Sequence, residues 1–252
     1  HFYFLLKILF KHIPYVDETI PTEDYPTISN VALTDEELWD KIIEDFKFAF
    51  DNLPDKQADL GRANKYAAAA YLAKAYLYKA YRQNEKYEVT SINAEDLNKV
   101  VEYTGEVMKS NYGLESDFGF NFLPEFENGK ESVFAIQFSK DDGTMFGNLN
   151  FADFLAVPQG LGCCDFHKPS QNLVNAFKTN KGLPMFKVNN GTYSENYDIA
   201  NYSLSKAADP RLFHTVAIDG LPYKYNEDLL FQNSWNRNPE MYGNFASLKE
   251  NV

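Results

Sequence analysis

The richest chemistry in this sequence lies in LPYKYNEDLLFQNSWNRNPEMYGNF, residues 221–245, where Tyr223, Tyr225, Trp235 and Tyr242 are interleaved with Asn226, Gln232, Asn233, Asn236 and Arg237. A pyranose has an apolar face of C–H groups that stacks on a ring, and a rim of hydroxyls that pairs with planar amides or a guanidinium. The mixture therefore suits reversible capture of a sugar, with Trp235, Tyr223, Tyr242, Asn233 and Arg237 as candidate contacts. Amide and aromatic side chains serve a peptide equally well, so peptide stands as the alternative ligand. The chain has 21 Phe, 17 Tyr and 2 Trp, and most of these rings must pack a core rather than meet a ligand.

Other chemistries find less support. Cys163, Cys164 and His167 are zinc-ligand types, but they fall one short of the four a structural site needs. They read better as small side chains in a Gly-rich turn, with no metal and no cofactor. The two cysteines are the only ones present and are adjacent. A bridge between neighbours closes a strained ring, so both thiols are expected to be free. The 36 acidic residues offer many carboxylate pairs for glycoside hydrolysis, yet nothing singles out one pair. No nucleophile elbow, HExxH, P-loop or dinucleotide fingerprint occurs, and the four histidines are scattered. The Asp141-Asp142-Gly143 run reads as a loop tip. The expectation is a protein that binds and does not catalyse.

The elements that must position such a site begin with Leu33 to Tyr81. Thr34 followed by Glu37 forms a capping box, and Asp35 and Glu36 add charge where the helix dipole is positive. Leu38, Trp39, Ile42, Ile43, Phe46, Ala49, Phe50 and Leu53 then recur at helical spacing until Pro54. The next helix is rich in alanine on one side (Ala67, Ala68, Ala70, Ala73, Ala75) and in tyrosine on the other (Tyr66, Tyr71, Tyr76, Tyr78, Tyr81), so a neighbour can approach its small side closely. A third begins at an N-cap signal, Asn93 to Asp96, and carries Leu97, Val100, Val101, Val107 and Met108 to about Ser110. The helix pairs resemble tetratricopeptide hairpins, without a clean 34-residue repeat.

From Tyr112 onward Gly, Pro, Asn and Phe crowd together, which predicts long ordered loops. ESVFAIQF, residues 131–138, alternates as a strand, Pro169-Ser170-Gln171 opens a short helix with Leu173, Val174 and Phe177 inward, and Phe213 to Ile218 reads as a second strand. The fold class is thus mostly α: a helical-repeat scaffold over 1–111 and a loop-rich, ligand-presenting region with a few short strands over 112–252, together one domain.

With 252 residues and 44% hydrophobic content the chain can bury a real interior. A net charge of -12 repels phosphate backbones and excludes nucleic acid as a natural partner. The runs FLLKILF and AAAAYLAKAYLY are too short and too interrupted by lysine to cross a bilayer.

Several ordered blocks resemble the SusD/RagB family of Bacteroidetes outer-membrane lipoproteins. They are FLLKILFKHIPYVDE, FAFDNLP, GRANKYAAAAYLAKAYLYKA, NYGLESDFGFNFLPEFENGKESVFAIQF, HKPSQNLVNAFKTNKGLPMF and AADPRLFHTVAIDG, spanning roughly residues 1 to 220. The resemblance implies a SusD-like fold, binding of oligosaccharides, delivery to a TonB-dependent, SusC-like transporter, and a place on the cell surface through a lipid anchor. It also implies that the loop before the Pro-Ser-Gln helix lies near the ligand face, which adds Phe166 to the candidate site. Set against the family pattern, the sequence reads as an internal fragment, beginning inside a helix and stopping before the family's last helices. A protein-binding helical scaffold and a divergent glycosidase are the remaining alternatives.

Overall fold

The computed structural model describes residues 1–137, 155–185, 208–223 and 226–247. The chain divides into two compact units, His1–Leu114 with Lys130–Gln137, and Glu115–Gly129 with Phe138–Val252.

In the first unit, helix α1 (Phe2–Leu9) precedes α2 (Asp35–Asn52) and α3 (Lys65–Ala80). A hairpin, β1 (Tyr81–Gln83) with β2 (Val89–Ile92), leads into α4 (Ala94–Met108). Each long helix starts where a side chain satisfies its first amides. Thr34 and Glu37 form the reciprocal capping box, Asn64 accepts from the Ala67 N–H, and Asn93 accepts from the Asp96 N–H. α3 lies between α2 and α4 and packs against both.

Ala67, Ala68, Ala69, Ala73, Ala75 and Ala80 of α3 are buried, which permits close approach, and Ala70 is half-buried. Its tyrosines are not idle: Tyr71 stacks on Phe46 of α2 at 5.1 Å, and Tyr76 stacks on Tyr103 of α4 at 5.9 Å. Phe4, fully buried, meets Trp39, Phe46, Tyr71 and Tyr78 edge-on. Polar ties complete the stack. Lys7 reaches Asp35 at 2.5 Å, and Arg82 pairs with Glu36 at 3.1 Å and Asp96 at 2.9 Å, joining α2 to α4.

The expected strand at 131–138 is corrected here. Residues 131–137 form no strand; they run as an irregular strap within the helical unit, Phe134 edge-on to Tyr71 at 6.5 Å. At Gly61, whose φ is +82°, a Cβ would stand 2.9 Å from Gln137 Cγ, so the strap passes where no side chain fits. Phe134 and Ile136 stay exposed, at 37% and 67%, and residues 130–137 belong to the helical unit, not to the loop-rich region expected over 112–252.

The second unit is built from short pieces. Helix α5 (Gln171–Ala176) is capped by Ser170, as expected, and is followed by the pair β3 (Thr179–Asn180) and β4 (Leu183–Pro184). Phe213–Ile218, expected as one strand, is split into α6 (Leu212–Thr215) and β5 (Val216–Ala217). The Thr215 hydroxyl donates back to the Arg211 carbonyl at 2.8 Å, which helps hold the helical turn. Beyond lie β6 (Pro222–Tyr223), β7 (Asn226–Leu230), α7 (Pro239–Tyr242) and β8 (Ala246–Ser247); β5 pairs with β8, and β6 with β7. Two small cores result. One gathers Val174, Leu212, Val216 and Ile218, the other Ala217, Tyr223, Phe231 and Ala246. The Asp141-Asp142-Gly143 loop tip lies outside the described residues.

Candidate ligand-binding site

Asp165 organises the site. It is 1% exposed, it accepts both Lys168 Nζ contacts at 2.9 and 3.1 Å, and it accepts the Arg237 backbone N–H at 2.6 Å. A buried carboxylate stands only if paired and hydrogen-bonded, and here the pairing clamps the 236–238 loop onto the 162–168 loop. The backbone of the latter is further fixed by Asp165 N–H to the Val157 carbonyl at 2.9 Å and Phe166 N–H to the Leu155 carbonyl at 2.8 Å. Asp165 and His167 both have φ of +57°. For residues with a Cβ this conformation is costly and persists only where the surroundings enforce it. Between them Phe166 is thrust outward, 45% exposed, and the Arg237 guanidinium lies 4.8 Å from its ring centroid.

Trp235 ends a 3-10 turn, Asn233–Trp235, and meets Phe231 edge-on at 5.7 Å. It is half-buried over Gly160, where a Cβ would come within 2.5 Å of the indole. Only glycine allows that seat. The Asn233 N–H donates to Asp219 at 2.8 Å. The Oδ1 atoms of Asn233 and Asn236 are buried and have no hydrogen-bond partner among the described residues. Such acceptors are rare in folded proteins; Asn236 itself is 5% exposed and donates its Nδ2 to the Gly243 carbonyl at 3.4 Å.

The structure thus brings Phe166, Arg237, Trp235 and Asn233 into the same pair of loops. Tyr223 is corrected. It is 3% exposed and lies parallel to Phe231 inside the second core, because the short strand β6 turns Pro222 out and Tyr223 in. An aromatic two residues beyond a turn carries no mark in the sequence that separates core from surface. Tyr242 closes α7, and Tyr225 lies outside the described residues. The free thiols are also corrected: Cys163 and Cys164 are joined in a disulfide. Adjacency sets their Cα atoms 3.7 Å apart, closer than the roughly 4.4–6.8 Å of ordinary bridges. Bridged, they offer no thiolate to a metal.

Sequence reasoning missed Asp165, Lys168 and Gly160. Their signals were faint: an acid followed three residues later by a lysine, and a glycine in a loop already rich in them.

Residues 1–77 match a family described as starch-binding and associating with the outer membrane, and residues 130–250 match the SusD family. A SusD-like protein from Bacteroides fragilis is 20% identical with a TM-score of 0.69, over 98% of this chain and 48% of its own. A SusD-like carbohydrate-binding protein from the same species is 18% identical with a TM-score of 0.66, over 98% and 45%. A structure solved with xylogluco-oligosaccharide is 22% identical with a TM-score of 0.52, over 70% and 35%. The chain spans about half the length of the first two or less. No curated protein gives a significant match. The tetratricopeptide-like helical hairpins, the loop-rich remainder and both family matches agree, and the chain belongs to the SusD/RagB family.

Proposed function

We propose that this protein captures oligosaccharides at the outer-membrane surface without altering them, and hands them to a TonB-dependent, SusC-like transporter. The observation that carries the reading is the exposed Phe166 ring held under Arg237 by the buried Asp165 clamp. Trp235, half-buried over Gly160, extends the shelf. Support also comes from the family, whose matching description is starch-binding, and from a similar protein solved with xylogluco-oligosaccharide. No described helix is long and apolar enough to cross a membrane; attachment by a lipid is the proposed means of staying at the surface, as the family resemblance implies.

Magnitudes fit capture and release. One or two stacked rings at about 1 kcal/mol each, with two or three hydrogen bonds at about 1 kcal/mol net each, sum to roughly 4 kcal/mol. That corresponds to a Kd of about 1 mM. A polymer that engages repeatedly gains from effective concentration, and weak single contacts let cargo leave.

Titration of a panel of neutral oligosaccharides and unmodified peptides against the wild type, Phe166→Ala and Trp235→Ala tests this. A glycan that binds the wild type and loses about tenfold or more in Phe166→Ala supports the proposal. Equal binding by all three proteins refutes the site. Binding of peptide alone refutes the ligand.

A further inference from the structure

The Cys163–Cys164 bridge is a covalent bond that the fold has little use for as a staple. A disulfide stabilises a protein chiefly by closing a loop in the unfolded chain, and the gain grows with the length of that loop. This bridge has no residue between its two cysteines, and the chain has no others, so it ties no two elements together. Its influence is local. It restricts the backbone of two residues that stand directly before Asp165 and Phe166.

That segment holds an uncommon conformation. Gly162, Asp165 and His167 all have positive φ, at +102°, +57° and +57°. Glycine enters this region freely, whereas residues with a Cβ stay there only under constraint from their surroundings. Downstream the constraint is polar: the Asp165 carboxylate accepts from Lys168 Nζ at 2.9 Å and from the Arg237 N–H at 2.6 Å. Upstream it is thin. The Cys163 N–H reaches the Pro158 carbonyl at 3.5 Å, and Cys164 has no hydrogen bond among the described residues. The disulfide is what remains to fix the chain as it enters the clamp. Both cysteines are half-buried, so a small dithiol can reach the bond.

We propose that the Cys163–Cys164 disulfide is a positioning device for the ligand shelf. It pre-sets the backbone from which Phe166 projects toward Arg237, so the ordering cost of the loop is met before ligand arrives. Reduction gives a looser shelf on an unchanged fold. In that step a dithiol reductant closes to its own cyclic disulfide, the Sγ–Sγ bond takes up two electrons, and each Sγ gains a proton. The effect on capture rests on the Phe166 shelf being the ligand site; the effect on the loop does not.

The test is amide hydrogen exchange on untreated wild type, wild type reduced with dithiothreitol, the same sample reoxidised with diamide, and the Cys163→Ser/Cys164→Ser double variant. Peptides covering residues 163–168 and Arg237 are expected to exchange about tenfold faster in the reduced and double-variant proteins, as local opening without global unfolding implies. Exchange in the helical unit and the urea midpoint stay unchanged, reoxidation restores protection, and dithiothreitol has no effect on the double variant. In a parallel titration with a xyloglucan heptasaccharide, reduction weakens binding about three- to tenfold. Should the double variant fail to fold, the reduced wild type decides alone. Two free thiols in the untreated protein, unchanged exchange on reduction, or faster exchange with undiminished glycan affinity would overturn the proposal. A shifted urea midpoint would also overturn it, since the bridge would then be a staple. If no neutral oligosaccharide binds the wild type, the capture reading falls, and exchange still decides whether the bridge positions Phe166.

Discussion

The helical unit and the loop-rich unit are stabilised in different ways. In the first, long helices share one apolar cluster centred on Phe4 and its four ring partners. In the second, two small clusters are joined by single polar clamps, Asp165 to Lys168 and Arg237, Asp209 to Arg211, and Asp219 to the Asn233 N–H. A platform can spread its stability over many contacts. A recognition surface must hold a few side chains out of the core, and it does so with carboxylates that each order a loop.

The comparison is broken most forcefully at Phe4. Phe4→Ala removes the buried centre of the first cluster and is expected to cost about 3–5 kcal/mol, read as a shifted urea midpoint of the helical unit with glycan binding retained below that transition. Asp165→Ala leaves Lys168 without its buried partner and is expected to cost about 3 kcal/mol in the loop-rich unit. Glycan binding then weakens because Phe166 and Arg237 are no longer held together, while the helical transition seen by circular dichroism stays put.

The two units also differ in what the sequence discloses. Trp39, Phe46 and the capped helix starts follow from spacing, because a helix repeats its environment every few residues; the central place of Phe4 does not. The capping box at Thr34, the Asn93 start and the Ser170 start were all legible, and the structure shows each. Asp165 was not legible, since its partners are the next turn and a backbone amide 72 residues away. The same reason misassigned Tyr223: inward and outward rings in short irregular segments differ only by tertiary contact. Residues 131–137 show the converse, an alternating pattern that forms no strand and leaves Phe134 and Ile136 exposed.

Gly160→Ala sharpens the comparison at the shelf. The added methyl collides with the Trp235 indole, and overpacking of this kind costs about 1–3 kcal/mol. In a Trp39→Phe background, tryptophan emission is expected to shift toward that of exposed indole, since Trp235 alone reports. Thr34→Ala removes one cap from α2 and is expected to cost about 1 kcal/mol, confined to the helical unit.

The smallest effect is acid sensitivity. Hydrogen bonds from Thr34 lower the Glu37 pKa below its ordinary 4.5, and those from Arg211 lower the Asp209 pKa below 3.8. A carboxyl with a depressed folded pKa adds stability above its unfolded value, and that stability is lost as pH falls through the folded one. Both units are therefore expected to soften below about pH 4, and Glu37→Gln and Asp209→Asn flatten that response in the helical and loop-rich units respectively.

The most direct test is a crystal structure with a bound neutral oligosaccharide. The account predicts a pyranose ring against Phe166, with hydroxyls within hydrogen-bonding distance of Arg237 or Asn233. A sugar bound only to the helical unit, with Phe166 and Trp235 untouched, would contradict it.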